Sequence, residues 1–301
     1  MKKRWLLVLI VIVAGGLAAI MLDPTCLVLG FLKQESFYQN RPTTYWRKAL
    51  LDDRPTVQVA SFEALKSPAA VPVLVELLSS PRHSDWTDAH VRCMAADILG
   101  QIGPEAKAGV PALAAALQDT DEHVRSVAAA TLGLMGSNDA IQPLIERLET
   151  GERLEATISL RRFGPAAKAA VPALQELLKD ERTDVRWNAA YTLGKIHAEA
   201  RAAVPALIAA LTDDDALVRE HAAEALGDIG PNAKEGVPAL IAALKDKDPR
   251  VRRDAARSLG QIGPAAKDAV GPLQDLRKDE NQRVREAAEK ALASINRPSP
   301  G

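Results

Sequence analysis

The sequence predicts an all-α solenoid, a right-handed superhelix of about seven to eight two-helix repeats that follows an N-terminal transmembrane helix. Two dipeptides, Val-Arg and Val-Pro, return along the chain at a common interval and predict the repeats. An uncharged apolar run near the start predicts the membrane helix. Apolar residues make up 47% of the chain and aromatic residues only 4%. A core of Ala, Leu, Val and Ile is therefore expected, which suits closely packed helices.

The membrane prediction rests on the N-terminal segment. Three basic residues, Lys2, Lys3 and Arg4, precede an uncharged run from Trp5 to Leu22. Eighteen helical residues span about 27 Å, close to the hydrocarbon thickness of a bilayer. We expect residues 1–32 to form a single-pass anchor, with a cytoplasmic N-terminus and an extracytoplasmic, periplasmic solenoid. The alternative is a cleavable signal peptide, which would make the protein secreted, but no clean Ala-x-Ala site is present.

The flanking segments complete the predicted organisation. Residues 33–56 are expected to be a linker, since they contain Arg41-Pro42 and Arg54-Pro55. Four aromatic residues in this segment either lie at the membrane interface or pack against the first repeat, and the sequence leaves both open. Residues 57–296 form the predicted solenoid, and residues 297–301 a disordered tail.

The repeat itself has three landmarks with one spacing. Val-Arg occurs at Val91, Val124, Val185, Val218, Val251 and Val284. The interval is constant except between Val124 and Val185, where it is nearly doubled and indicates a shortened, diverged repeat around residues 153–163. Val-Pro is followed nine residues later by an aspartate, at Asp119, Asp180, Asp213 and Asp246, and Asp279 follows the variant Val270-Gly271-Pro272. Each unit therefore contributes a V-R helix and a V-P helix, named here by the dipeptides with which they start.

One unit shows the physical basis of the pattern. Its V-R helix places four apolar residues on a single face, at Val251, Ala255, Leu259 and Ile262. Asp248 occupies the N-cap position, and Pro249 follows where its missing N–H has no cost. Gly263-Pro264 ends the helix. Two such helices cannot bury both faces alone, so neighbouring units must stack.

The consensus D-x-x-V-R-x-x-A-A-x-x-L-G-x-I-G resembles the HEAT-repeat family, particularly its short bacterial variety that is similar to phycobilin lyases. The resemblance covers about residues 56–296. It implies that V-P helices line the convex side and V-R helices the concave side. It also implies an Asp and Arg ladder between repeats, with Asp246 pairing with Arg252 and the equivalent residues doing likewise.

No catalytic, cofactor or metal site is expected. Deoxyhypusine hydroxylases are similar in fold and hold two irons with His-Glu pairs, but here only Glu220-His221 comes near that pattern, and in reverse order. The histidines lack metal-ligand spacing. A net charge of −1 argues against a nucleic-acid partner. A lyase-like or enzyme-accessory role remains an alternative from the family resemblance, without a reactive constellation to support it.

Helical geometry selects a strip on each V-R helix that should be exposed to solvent and that the fold does not specify. This variable strip consists of the positions two, six and ten residues after the valine. In three consecutive repeats its first two positions change from aromatic to acidic to basic: Trp187 and Tyr191, then Glu220 and Glu224, then Arg253 and Arg257. Trp and Tyr are enriched at binding hot spots. The charged rows either flank a partner or pair with each other as surface.

The function expected from these observations is a non-enzymatic scaffold. It would bind a protein or peptide partner in its groove through the aromatic pair, with no small-molecule substrate, and be held at the membrane. If the N-terminal segment is cleaved, the same solenoid becomes a soluble exported binding protein.

Overall fold

The computed structural model describes residues 26–80, 86–150 and 153–296. The apolar run of residues 5–22 and the tail of residues 297–301 lie outside this part of the chain, so their predicted roles are not addressed by it. Within the described ranges, the structure contains no helix that is both long and apolar enough to span a bilayer.

The described residues are almost entirely helical. The α-helices are α1 Leu27–Lys33, α2 Thr43–Leu50, α3 Pro55–Leu65, α4 Val71–Leu78, α5 Trp86–Ile102, α6 Val110–Ala116, α7 Glu122–Met135, α8 Ile141–Thr150, α9 Arg153–Arg161, α10 Val171–Leu177, α11 Thr183–Ile196, α12 Val204–Ala210, α13 Ala216–Ile229, α14 Val237–Ala243, α15 Pro249–Ile262, α16 Val270–Leu276 and α17 Gln282–Ile295. A two-residue antiparallel pair, β1 Phe37–Tyr38 and β2 Arg41–Pro42, precedes α2. The predicted all-helical repeat solenoid is confirmed.

The helices divide into two compact units, residues 1–135 and residues 136–301. In the first unit, the V-P helices α4 and α6 alternate with α3 and the V-R helices α5 and α7. In the second, α8, α10, α12, α14 and α16 alternate with α9 and the V-R helices α11, α13, α15 and α17. The diverged repeat predicted around residues 153–163 corresponds to α8 and α9, where α9 occupies the V-R position.

A seven-residue 3₁₀ segment connects the V-R helix to the V-P helix in five repeats: Gly103–Gly109, Gly164–Ala170, His197–Ala203, Gly230–Gly236 and Gly263–Ala269. Its first residue has a φ between 52° and 75°. Glycine adopts this conformation without a steric cost. His197 occupies it with φ 57° and ψ −140°, a region that side chains other than glycine rarely enter. Strain of order 1–3 kcal/mol is therefore stored at this turn.

Residues 33–56, predicted as a linker, contain the β1–β2 pair and α2, and they are fastened to the first unit. The carboxylate of Glu76 on α4 accepts hydrogen bonds from the Ser36 backbone N–H at 2.6 Å and the Thr43 hydroxyl at 2.8 Å. Trp46 is buried, and its indole N–H donates to the Tyr38 carbonyl at 3.2 Å. The sequence left open whether the aromatic residues lie at the membrane interface or pack against the first repeat. Trp46 is packed.

In the second unit, consecutive V-R helices pack directly against one another because small residues lie at their crossing points. A Cβ added to Gly260 of α15 would come within 2.8 Å of the Ala291 Cα on α17. The opposite interface of α15, with α13, contains a buried hydroxyl that donates across it: Ser258 donates to the Ala223 carbonyl at 2.7 Å. These contacts satisfy polar groups in a core otherwise made of Ala, Val, Leu and Ile.

Five ion pairs join a repeat to the one that follows it in the described part of the chain. The arginine of one V-R helix binds the repeat aspartate 27 residues later, at Arg92–Asp119, Arg153–Asp180, Arg186–Asp213, Arg219–Asp246 and Arg252–Asp279, with N···O distances of 2.6 to 2.8 Å. In three consecutive repeats the pair is bidentate, as at Arg219, whose Nε and Nη2 lie 2.7 and 3.0 Å from the two Asp246 oxygens. The Arg219 Nη1 also donates to the Asp213 and Asp214 carbonyls. Arg186 and Arg252 form the same carbonyl bonds, so in these three repeats the guanidinium connects the start of its own helix to the following repeat.

The ladder corrects the pairing that the family resemblance implied. The carboxylate partner of Arg252 is Asp279, whereas Asp246 offers Arg252 only its backbone carbonyl, at 2.9 Å. The Asp246 carboxylate instead accepts from Arg219 and from the Asp248 backbone N–H, which orients it toward the preceding helix. Burial acts to raise the pKa of Asp246, but these hydrogen bonds outweigh burial and the pKa is lowered. The aspartate is therefore ionised in the pair.

Removing a ladder arginine should destabilise the second unit. We expect Arg252→Ala to lower the free energy of unfolding by about 2–4 kcal/mol, because the largely buried Asp279 carboxylate loses its cation. Urea denaturation of the detergent-solubilised full chain, followed by circular dichroism, measures this change.

Arg285 provides the matched control. It donates to the Asp279 and Glu280 carbonyls, as Arg252 does to the equivalent pair, and no carboxylate bond from it is present in the described part of the chain. Arg285→Ala should cost about 1 kcal/mol. Equal losses in the two variants would show that the carboxylate rung contributes little.

Candidate functional site

The six site residues predicted from the sequence lie on three neighbouring V-R helices of the second unit. Trp187 and Tyr191 are on α11, Glu220 and Glu224 on α13, and Arg253 and Arg257 on α15. Members of each pair are four residues apart, so they lie on the same helix face. Because α11, α13 and α15 pack side by side, the three pairs come together on one surface.

The aromatic pair is joined by a third ring. His221 of α13 stacks on Trp187, with ring centroids 5.1 Å apart and planes at 29°. The same imidazole lies 5.0 Å from the Tyr191 ring centroid. Such ring contacts contribute about 0.5–1.5 kcal/mol beyond their buried area. We call these three residues the aromatic cluster. It bridges α11 and α13, and all three side chains are half-buried.

Two cations form cation–π contacts with the Tyr191 ring. The Arg161 guanidinium of α9 lies 4.9 Å from the ring centroid and the Lys195 ammonium lies 4.6 Å from it. Both are within the range in which the ring quadrupole attracts a cation. Sequence reasoning missed Arg161, because α9 lacks the Val-Arg landmark that gives the register of the other repeats. The ladder bond of Arg153 to Asp180 supplies that register.

Glu224 connects the aromatic cluster to the charged rows. Its carboxylate lies 3.0 Å from His221 Nδ1 and 3.3 Å from the Lys195 ammonium. Hydrogen bonding to His221 is the main cause that lowers the pKa of Glu224 to about 2; burial opposes it, and the charges of Lys195 and Arg257 assist. Burial acts to lower the pKa of Lys195, but its hydrogen bond to Asp228 at 2.8 Å and the charges of Asp228 and Glu224 together raise it.

Glu220 lies deeper than the variable strip was expected to place it. It is 9% exposed, because Arg253 and Arg250 of the next helix reach across it, with N···O distances of 3.0 and 3.5 Å. Burial nevertheless raises the pKa of Glu220. Arg253 also binds Asp254 at 2.6 Å. The acidic row is thus an internal counter-charge for its neighbours and not a free acidic surface.

Arg257 differs from Arg253 in its exposure. Its guanidinium lies 3.3 Å from Asp254 and 3.7 Å from Glu224, and 44% of its side chain remains exposed. Charged rows on adjacent helices therefore pair with each other, as the second interpretation of the strip proposed. The structure combines the paired rows and the aromatic cluster in one network.

The described residues contain no group of three or more His, Cys, Asp or Glu side chains placed to hold a metal ion. On the variable strip of the first unit, Cys93 is half-buried, and burial is the main cause that raises its pKa to about 11. Its thiol is protonated at neutral pH and is a poor nucleophile.

Comparison with known proteins gives a family and a fold. The HEAT repeats family matches residues 85–161, 150–227 and 204–293. An engineered protein of known crystal structure is 26% identical, covers 84% of this chain and 78% of its own, and has a TM-score of 0.57. No curated protein matches the chain significantly. The family match and the engineered protein confirm the predicted stacking of helical repeats.

Two further solved structures align with lower scores. A designed armadillo repeat protein is 23% identical, covering 75% of this chain and 100% of its own, with a TM-score of 0.45. The complex of CpcE and CpcF of phycocyanin lyase from Nostoc sp. PCC7120 is 21% identical, covering 87% of this chain and 97% of its own, with a TM-score of 0.41.

The Glu224 network should give the second unit a pH-dependent stability. Because the folded pKa of Glu224 is about 2 and its ordinary value is 4.5, its contribution is complete above pH 4.5 and is lost as the pH falls toward 2. After allowance for solvent screening, the free energy of unfolding of the wild type should exceed that of Glu224→Gln by about 1–2 kcal/mol at pH 7.

The measurement is urea denaturation of both proteins at a series of pH values from 7 to 3. The difference between them should shrink below pH 4.5. Glu286→Gln is the control, since Glu286 is exposed and bonded to Gln282 within its own helix. A constant difference at every pH would contradict the assignment.

Proposed function

This chain belongs to the HEAT-repeat family, and from that premise we propose that it is a non-enzymatic scaffold that binds a protein or peptide. The partner lies in the groove that the V-R helices form, with the aromatic cluster as its main contact. No nucleic acid and no small-molecule substrate are part of the proposal.

The aromatic cluster is the observation that carries this proposal. Trp187 and Tyr191 are half-buried, and His221, Arg161 and Lys195 hold their rings in place before any partner binds. Trp, Tyr and Arg are the residues most enriched at binding hot spots. A partner that binds ordered rings loses less side-chain entropy on binding than one that must order them.

The polar contacts around the cluster favour binding over catalysis. Lys195 is bound to Glu224 and Asp228, and Glu224 to His221, so these groups are occupied by structural partners. The low pKa of Glu224, about 2, makes it a weak base at neutral pH. The network therefore positions rings and balances charge, and it does not present a reactive group.

We also propose that the scaffold is tethered to a membrane through residues 1–32. The support is the basic start of the sequence and the uncharged run of residues 5–22 that follows it. In this arrangement the solenoid lies outside the cytoplasm and meets partners at the membrane surface. A soluble exported binding protein is the alternative, and cleavage of the same segment would produce it.

Fractionation of cells that express the chain with a C-terminal tag tests the tether. We expect the full-length protein, identified by intact mass, in the membrane fraction after a carbonate wash. Deletion of residues 1–32 should move it to the soluble fraction. A shortened product in the exported soluble fraction would favour the secreted alternative, and a full-length soluble product would contradict both.

The groove is tested by affinity capture from detergent-solubilised native membranes. We expect Trp187→Ala/Tyr191→Ala to weaken binding of the captured partner by about tenfold or more, since hot-spot side chains contribute about 2 kcal/mol or more. Partners identified with wild type should be lost or reduced with this variant.

The control is a double alanine variant on the V-P helix side. Glu176 and Lys179 are about three quarters exposed, at 76% and 73% of their side chains. Glu176 lies in the last turn of α10, and Lys179 lies two residues after its end. Glu176→Ala/Lys179→Ala should retain every partner. If both variants capture the same partners with equal affinity, the aromatic cluster is not the binding site.

A further inference from the structure

The V-R helices α15 and α17 enclose a cleft of about 500 Å³ that their side chains do not fill. Its floor is made of small residues, Gly260 on α15 with Ala287 and Ala291 on α17. The backbones approach each other at this floor, since a Cβ on Gly260 would meet the Ala291 Cα at 2.8 Å. The two helices are therefore closest at this floor, and the side chains on either side of it border an open groove. A volume of this size is typical of sites that hold part of a ligand.

The two preceding grooves of the same unit are filled from within. Between α11 and α13 the aromatic cluster occupies the space. Between α13 and α15 ion pairs close it, at Glu220–Arg253 and Glu224–Arg257. All these contacts come from variable-strip positions or their neighbours. The two residues of each ion pair are one full repeat apart in the sequence. Residues of α15 and α17 that are separated by the same interval should therefore face each other in the next groove.

In the cleft that interval places Glu286 opposite Arg253 and Lys290 opposite Arg257, so like charges meet only at the second position. Lys290 follows Arg257 by one full repeat, and both line the cleft. Within the described residues no ion pair joins α15 to α17. Glu286 is bonded to Gln282 of its own helix, at 2.8 Å. The variable strip thus gives Arg257 a counter-charge from Glu224 on α13 and none from α17, where Lys290 occupies the matching position.

The lining of the cleft has a surplus of positive charge. Four cations line it, and two of them, Arg253 and Arg257, are already paired with acids of α13 and α15. The surplus is carried by Arg283 and Lys290. Asp254 is already bound by Arg253 and Arg257, at 2.6 and 3.3 Å. Arg283 and Lys290 are exposed, and neither forms an ion pair with another described residue. An anion of matching shape would supply what this cleft lacks.

We propose that the cleft binds an acidic segment of the same partner that contacts the aromatic cluster, so the inference rests on the proposed function. Carboxylates of this segment pair with Arg283 and Lys290, while its apolar atoms lie on the small-residue floor. A dense polyanion fits less well because Asp254 and Glu286 are part of the lining. Carboxylates spaced along a peptide can reach the separate cations and avoid both acids.

The geometry of the unit also gives the spacing that this partner requires. The cleft lies two helix intervals from the aromatic cluster, about 20 Å if V-R helices pack 8–10 Å apart. An extended peptide covers that distance with about six residues. The partner should therefore carry an apolar anchor and, about six residues away, two or three acidic side chains. The intervening acids Glu220 and Glu224 do not repel it, because Arg253 and Arg257 offset their charge.

Fluorescence anisotropy with labelled synthetic peptides tests the proposal on the detergent-solubilised full chain. The probes share a Trp-Leu anchor and a six-residue Gly-Ser spacer, and they end in Glu-Asp-Glu, Gln-Asn-Gln or Lys-Arg-Lys. We expect the acidic probe to bind about tenfold more tightly than the neutral one, with the basic probe weakest. Equal affinities for the acidic and neutral probes would overturn the proposal.

Charge reversal locates the site. Arg283→Glu/Lys290→Glu should remove the preference for the acidic probe and create a preference for the basic one. The control, Lys234→Glu/Lys267→Glu, makes the same change in net charge at exposed positions outside the cleft and should keep the original preference. If the control variant behaves like the cleft variant, the effect is one of overall charge and the site is wrong.

Two further experiments distinguish an acidic peptide from other anions, and distinguish failure of this proposal from failure of the proposed function. Displacement of the acidic probe by millimolar inorganic phosphate, or tighter binding to phosphatidylserine vesicles than to the probe, would overturn the peptide assignment. Trp187→Ala/Tyr191→Ala should weaken the acidic and neutral probes equally and keep their ratio. If that variant changes neither affinity while cleft reversal still inverts the preference, the aromatic site fails and the acidic-segment site stands.

Discussion

One ion pair determines how the repeats stack. In three consecutive V-R helices the ladder arginine binds backbone carbonyls just before its own helix and, with its remaining guanidinium nitrogens, the aspartate of the following repeat. At Arg219 and Arg252 the pair is bidentate, which fixes orientation as well as distance. Buried charges of this kind are costly to leave unpaired, so neighbouring repeats stay in register. Van der Waals contact between Ala and Gly surfaces alone would permit sliding.

Because the ladder and the small crossing residues carry the stacking, the variable strip is free to change. Three consecutive grooves of the second unit, from α11 to α17, illustrate this freedom. Rings fill the first, ion pairs close the second, and the third remains an open cationic cleft on the same backbone architecture. The fold supplies a series of equivalent slots, and the side chains at two strip positions decide the chemistry of each. This separation suits a scaffold, since the binding surface can change without loss of the stacking.

Repeat architecture was predictable from the sequence because spacing and capping are local properties. The helix from Val251 with its Asp248 cap and Gly263 end is formed as predicted, and the Asp248 carboxylate accepts from the Arg250 N–H. The site was predictable only in part. A helical projection shows which side of its own helix Glu220 occupies, but its burial depends on arginines of the next helix.

The same limit explains the other differences. His221 completes the aromatic cluster from a position adjacent to the strip, and only the packing of α13 on α11 brings it there. Arg153 was not recognised as a ladder residue because the valine that marks other rungs is replaced in its repeat. The cleft depends on the size of residues that face each other across two helices. Each of these features is a relation between repeats, while the pattern of one repeat describes only itself.

The ladder has a consequence for how such a chain can change length. Every rung spans 27 residues, from the arginine of a V-R helix to the next repeat aspartate, and six more residues reach the following arginine. Even the diverged repeat keeps the interval, from Arg153 to Asp180. Duplication or deletion of a complete repeat preserves every rung, whereas an insertion between an arginine and its aspartate shifts the two apart. The unit that can be gained or lost without breaking an ion pair is therefore the complete repeat, and the gene can lengthen or shorten by whole repeats.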